Sequence, residues 1–149
     1  MPAIDPLTSR CQVVRTLDVI GEKWSLLLVR DALRGRTTYS EFRESLGIPT
    51  DVLSTRLAKL VERGVLEKRA YRAEGSRERF SYHLTEAGQG LALVVGAMAQ
   101  WGETYNPCDG ASASRFVEAD DRDAAVGISF IDGSGRALTT TEVALVPRR

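Results

Sequence analysis

Along the stretch GIPTDVLSTRLAKLVERG, residues 47–64, apolar positions recur at Leu53, Leu57, Leu60 and Val61. That spacing of i, i+4, i+7 and i+8 is one stripe at helical period and predicts a single helix of about four turns. The opposite side carries Asp51, Thr55, Lys59 and Glu62, with Ser54 and Arg56 on the flanks. Small polar groups over the first half of that side suit a helix whose N-terminal end enters a DNA groove while its stripe stays in a core. The same pattern also fits an ordinary amphipathic surface helix, so the neighbouring elements decide.

Upstream, Val13, Val14, Leu17 and Ile20 predict a first helix over 10–20, stopped by Gly21, after a loose lead-in over 1–9 that contains Pro2 and Pro6. Residues 23–34 include Trp24, Leu26, Leu27, Leu28, Val29, Ala32 and Leu33 and leave little polar surface, which predicts a helix buried in the middle of the fold. The segment TTYSEFRESLG predicts a short third helix that packs Tyr39, Phe42 and Leu46 inward, with Ser40 as N-cap and Glu41 in the first turn. The start of the next helix reads two ways, with Pro49 as its first residue or Thr50 as its cap.

Downstream, 65–71 reads as a strand, RAEGSRER as a polar turn, and Phe80, Tyr82 and Leu84 alternate with polar residues as a half-buried strand. Thr85 is expected to cap a long helix over 86–105 with the stripe Leu91, Val94, Val95, Met98, Trp101 and Tyr105, ended by Pro107. The fold class is therefore mainly α with a small β-hairpin wing (α+β), a winged helix-turn-helix over 10–105. The stripes of the first helix (Val13, Leu17) and last helix exceed what so small a domain covers alone, which predicts a two-fold homodimer. Residues 106–149 change character. There AVGISFIDGSGRAL predicts a β-hairpin, with Val126, Ile128 and Phe130 on one face and the turn over 132–135, and EVALV is a further strand candidate.

Composition alters this picture only locally. The chain has 149 residues, a formal net charge of +0 and 43% hydrophobic residues, enough for one real core. Charge is uneven: Arg30 to Arg79 holds 12 Lys/Arg against 8 Asp/Glu, whereas 106–149 holds 5 against 7. A mildly basic middle is compatible with a salt-dependent phosphate footprint. The N-terminal MPAIDPLTSR lacks an apolar h-region and no apolar run is long enough to span a bilayer, so neither a signal peptide nor a membrane span is expected, and a cytoplasmic location is. His83 is the one histidine, and Gly88 and Gly90 follow no Rossmann-like strand. No phosphate loop, metal-ligand cluster or catalytic triad is evident, so no enzyme activity, cofactor or metal is expected.

The chain resembles the HxlR-type (DUF24) winged helix-turn-helix regulators, close to the MarR regulators. The resemblance is carried by Cys11, LDVIGEKWSLLLVRDALRG, YSEFRESLGIPTDVLSTRLAKLVERGVLEKRAY, SYHLTEAG and the Trp101-Gly102 pair, and covers roughly two-thirds of the chain. Departures are Glu22 where the family often has a second Gly, Pro49 where it often has Ser, and SRERFSY where its wing commonly carries Pro-Pro. The resemblance implies a transcriptional regulator that binds double-stranded DNA as a homodimer through its first and last helices. Carried over by position, the DNA-facing residues are Thr38, Ser40, Thr50, Asp51, Ser54, Thr55, Arg56, Lys59, Arg77 and Arg79. The four cations suit phosphates or guanine, and Asp51 suits a cytosine amine or a neighbouring Arg.

Some members use an N-terminal cysteine as a sensor of oxidants or electrophiles, and Cys11 matches that position; Cys108 is a second redox candidate. An intersubunit bridge between them would need Cα atoms within about 7 Å. A small-molecule effector held near Trp24, Trp101 or Tyr105 is a further possibility. Some relatives carry a C-terminal extension resembling a zinc ribbon, but no cysteine follows Cys108 here and the tail has no histidine, so no metal is expected. The alternative function is a winged-helix protein-interaction module without DNA binding.

Overall fold

A computed structural model describes Asp5, residues 9–72 and residues 74–147. Most of the lead-in, Pro2 and Pro6 included, lies outside the described residues. The elements are α1 (Gln12–Ile20), α2 (Lys23–Leu33), α3 (Tyr39–Leu46), α4 (Thr50–Glu62), β1 (Leu66–Tyr71), β2 (Arg79–Leu84), α5 (Glu86–Gly90), α6 (Ala92–Tyr105), β3 (Phe130–Ile131) and β4 (Ala137–Leu138). They divide into two compact units, Met1–Val95 and Gly96–Arg149, with the boundary inside α6.

The core of the first unit is the set that the periodicity selects. Leu28 and Val29 of α2, Phe42 of α3, and Leu53, Leu57 and Leu60 of α4 are all buried, with Ile20, Ile48, Val65 and Leu66 around them. The α2 helix is central as predicted, although only one side of it is fully enclosed. Asp31 on α2 is also buried, held by Arg30 at 2.8 Å with Arg34 and Arg36 at 3.9 and 3.8 Å. Burying a carboxylate without such company is costly. Asp31 fixes the turn into α3, where the Arg36 amide also donates to the Asp31 carbonyl at 3.1 Å.

Three predicted helix starts are corrected. The cap of α3 is Thr38 and not Ser40: the Thr38 hydroxyl accepts from the Glu41 amide while the Glu41 carboxylate accepts from the Thr38 amide. This capping box satisfies two orphan donors at once, which Ser40 inside the first turn could not do. The first helix starts at Gln12 with Cys11 as its cap residue. Of the two readings at α4, neither is the observed one: Pro49 is the cap and Thr50 the first helical residue.

The wing is an antiparallel pair with Leu66 opposite Leu84 and Tyr71 opposite Arg79. Its base is joined to α3 by a bridge between Thr38 and Ser81 and by the Tyr82 amide donating to the Thr37 carbonyl at 2.7 Å. His83 is half-buried there, its Nε2 2.9 Å from the Ser81 hydroxyl. The single long helix expected over 86–105 is two helices that meet at Leu91. The first is pinned by Thr85, whose hydroxyl donates to the carbonyls of Gly64 and Val65 and accepts from the Gly88 amide. Gly88 is buried, and a Cβ there would fall on the Val65 carbonyl oxygen. That close approach requires glycine.

In the second unit the tail folds against its own part of α6. Gln100 donates its amide to the Ile128 carbonyl and accepts from the Ile128 amide, both at 2.9 Å, so one side chain pairs with the tail as a strand would. Ile128 lies over Gly96, where a Cβ would sit 3.3 Å from it. The hairpin forms with its turn at the expected Asp132–Gly135, but each strand is only two residues long. Val126 and Phe130 are exposed while Ile128 is half-buried, so the three do not make one covered face. EVALV forms no strand, and Leu145 and Val146 are exposed. With no neighbouring strand to satisfy its amides, an apolar run alone does not make a sheet.

Candidate nucleic-acid interface

The α4 helix presents its buried leucines inward and leaves Thr50, Asp51, Ser54 and Thr55 exposed. Its N-terminal turn is braced from α3, where the Tyr39 hydroxyl donates to the Thr50 carbonyl at 2.9 Å and lies 3.3 Å from the Ser54 hydroxyl. Sequence reading took Tyr39 only as an inward-packing residue. The contact with α4 eleven residues on is a tertiary relation that periodicity does not carry.

The hydroxyls on this surface differ in what they can still offer. The Thr55 hydroxyl donates back to the Asp51 carbonyl at 2.9 Å, so it presents its methyl and a lone pair outward. An exposed methyl suits a thymine C5-methyl better than a phosphate. The Thr38 hydroxyl is occupied in the α3 cap and lies 3.4 Å from the Ser40 hydroxyl, which is exposed. The Glu41 carboxyl is held below its ordinary value of 4.5 by the backbone N–H groups of Thr37 and Thr38. That charged cap sets the start of α3 rigidly beside α4.

The cations fall into two groups. Arg77 and Arg79 are exposed on the wing, with a left-handed Gly75 in the turn before them. Lys68 on the opposite strand lies over the Phe80 ring at 4.0 Å. Arg56 and Lys59, by contrast, sit on the flank of α4 against Glu22 at the start of α2. Arg56 is ion-paired to that carboxylate, and the Lys59 ammonium is 3.9 Å from it. At the far end of α4, Arg63 pairs with Asp18 of α1. The structure thus gathers Thr50, Asp51, Ser54 and Thr55 into one exposed row, with Ser40 on α3 nearby in the motif, and turns Arg56 and Lys59 to the side. Glu22 was legible only as a sequence departure, with no sign of its partner.

The residues expected at a dimer interface also separate. Val13 and Leu17 on α1, and Met98, Trp101 and Tyr105 on α6, are exposed. Leu91, Val94 and Val95 are half-buried and pack on the core of the first unit, so much of their apolar surface is already used within the chain. Trp101 and Tyr105 stack at 5.5 Å between ring centroids, and Trp24 carries Lys23 over its ring at 5.0 Å. Both cysteines are free and exposed. Cys11 receives no cap role from its side chain, while its amide donates to the Ser9 hydroxyl at 3.1 Å; the Cys108 thiol points to the Gly110 carbonyl at 3.8 Å.

Residues 19–109 match the family described as HxlR-like helix-turn-helix. An uncharacterized HTH-type transcriptional regulator of Mycobacterium tuberculosis (strain CDC 1551 / Oshkosh) is 38% identical over 108 residues, 70% of this chain and 67% of that protein. The crystal structure of PA1607, a proposed transcription factor, superposes with a TM-score of 0.79 at 37% identity over 95% of this chain and 97% of that one. That coverage extends through the C-terminal unit. The redox regulator HypR in its reduced form gives a TM-score of 0.57 at 33% identity, over 63% of this chain and 92% of HypR. With the capped α3, the braced α4 and the anchored wing in the order the family requires, the chain belongs to the HxlR-like helix-turn-helix family.

Proposed function

We propose that this chain is a sequence-specific transcriptional regulator that binds double-stranded DNA as a homodimer. The observation that carries the reading is the exposed polar row Thr50, Asp51, Ser54 and Thr55 on a helix whose other face is fully buried. Such a row has the donors, acceptors and methyl that base edges in a major groove require. Arg77 and Arg79 on the wing supply phosphate contacts beside it. Asp51 accepts from a cytosine amine, and Ser40 at the start of α3 positions the unit on the backbone. The regulators among its relatives support the same assignment. The reading gives the chain no catalytic step and no cofactor. It is expected in the cytoplasm, and among the described residues no helix is long and apolar enough to cross a membrane.

Dimerisation uses the exposed apolar residues of α1 and of α6, each of which leaves large side chains uncovered. Exposed apolar residues in such number on two helices need a covering partner. Fluorescence-anisotropy titration against the DNA upstream of its own gene, at two salt concentrations, tests the binding, and light scattering tests the dimer. Saturable, salt-sensitive binding by a dimer is the expected result. A dimer without such binding would favour the alternative, a winged-helix protein-interaction module.

A thiol switch is a second reading, favoured by the exposed Cys11 at the head of α1 beside Val13 and Leu17, and by the likeness to the redox regulator HypR. Oxidation of a thiol at that edge would change how two α1 helices pack. Cys108 is the other exposed thiol that could take part. Diamide treatment should then alter both the mobility on a non-reducing gel and the DNA affinity; no change in either removes the switch.

A further inference from the structure

Glu22 occupies the cap position of α2, yet its side chain makes no cap hydrogen bond. Its carboxylate turns instead to α4, where it pairs with Arg56 and stands 3.9 Å from the Lys59 ammonium. Those two are the cations within Thr50–Glu62, so one carboxylate faces the whole positive charge of that helix. The cluster is open to solvent, with side-chain exposures of 46% for Glu22, 24% for Arg56 and 31% for Lys59. On its sheltered side, the Arg56 Nε is buried without a hydrogen-bond partner. The pair with Glu22, in contrast, is reachable from solvent by a competing anion.

Arg56 and Lys59 lie nearly one turn apart on the flank between the buried stripe and the exposed polar row. A helix seated in the major groove meets the phosphate backbone along such flanks, while its outer row meets the bases. Carboxylate and phosphate make the same kind of charge-assisted contact to these two side chains. We infer that Glu22 is an internal stand-in for a DNA phosphate. It holds Arg56 and Lys59 in the free protein and is displaced from them when a backbone phosphate arrives. This rests on the DNA-binding function proposed above.

The consequence is a weaker phosphate contribution. Non-specific binding draws almost entirely on phosphate electrostatics. Glu22 opposes that term and leaves the base-facing Thr50, Asp51, Ser54 and Thr55 untouched, so it lowers the absolute affinity for random DNA. The opposite outcome, in which Glu22 merely orients Arg56 for DNA, predicts the reverse sign and is separable by experiment.

The test uses the full chain as wild type, Glu22→Gln, Arg56→Ala and the double variant, titrated by anisotropy with a random-sequence duplex at several KCl concentrations. Glu22→Gln should bind the random duplex about two- to tenfold tighter, the order expected on losing two partly exposed competing pairs. Its log–log salt slope should stay close to that of the wild type, because Glu22 is displaced and the same phosphates are neutralised in both complexes. Arg56→Ala should cost more affinity in the Glu22→Gln background than in the wild type. Equal or weaker binding by Glu22→Gln, while the wild type binds, overturns the inference and leaves the DNA-binding function standing. No salt-sensitive binding by either protein overturns both. Since Glu22 caps nothing, the variant should keep the wild-type circular dichroism; if it does not fold, Glu22→Ser, which also removes the carboxylate and is a favoured cap type, carries the same expectation and the same refutation.

Discussion

Leu57 gives the sharpest test of how α4 is seated. Its side chain is 1% exposed, in the middle of a stripe whose neighbours Leu53 and Leu60 are wholly buried. Leu57→Ala removes three carbon atoms. Their transfer alone is worth about 2.4 kcal/mol at about 0.8 kcal/mol each, and the cavity left behind raises the expected loss to about 2–5 kcal/mol. For a chain of this length a loss of about 3 kcal/mol lowers Tm by about 6–12 °C. The measurement is urea unfolding followed by far-UV circular dichroism, at one fixed protein concentration because the proposed dimer would couple stability to concentration. Val61→Ala, half-buried on the edge of the same stripe, should cost clearly less. A Leu57→Ala loss below about 1 kcal/mol, or a larger loss at Val61, would mean that α4 is rotated from the orientation described, and Thr50, Asp51, Ser54 and Thr55 would no longer form its exposed row.

Further expectations follow from single contacts. Gly88→Ala should destabilise by about 1–3 kcal/mol, because its Cβ meets the Val65 backbone carbonyl, whereas Gly90→Ala, with open space around it, should stabilise by about 0.4–1 kcal/mol; thermal melts of the pair decide. Thr38→Ala should cost about 1 kcal/mol through loss of the α3 cap, read by denaturant unfolding. Glu41, with its carboxyl held below 4.5, stabilises the fold above that pH and ceases to do so as pH falls through the lowered value. The stability difference between wild type and Glu41→Gln should therefore shrink on acidification across that window, and a difference that grows would refute the assignment. Replacing Arg77 and Arg79 together by Ala should reduce the salt slope of DNA binding by about 1.8 with little change in stability, as measured by anisotropy and melting.

What could be read from the sequence is what depends on period and local chemistry. The stripe Leu53–Leu57–Leu60 located α4 and its buried side, and the alternation of Phe80, Tyr82 and Leu84 located β2. Thr38-x-x-Glu41 is itself a capping-box pattern, yet Ser40 is an equally good cap type two residues later, and only the backbone geometry separates them. The break at Leu91 was hidden because the apolar stripe only begins there, and the reason for Gly88 lies twenty-odd residues away in the Val65 carbonyl between α4 and β1. Arg56 and Lys59 looked like outward cations because nothing within α4 opposes them. Their partner, Glu22, belongs to another helix, and such a pair is invisible to any window of one helix length. The tail hairpin was legible at its turn, where Asp132 and Gly135 dictate the bend, and overextended in its strands, where no partner exists to continue the ladder.

The hydroxyl of Thr85 reaches the Gly64 and Val65 carbonyls on one side and the Gly88 amide on the other. It therefore works as a clasp, closing the loop that begins where α4 ends and returns where α5 begins. Everything between, including both wing strands and the arginines at the tip, is suspended from that closure. Fraying of the first turn of α5 and loosening of the wing at its root are then one cooperative event, so a disturbance arriving along α5 would be felt at the wing tip as a change in how firmly the wing is held.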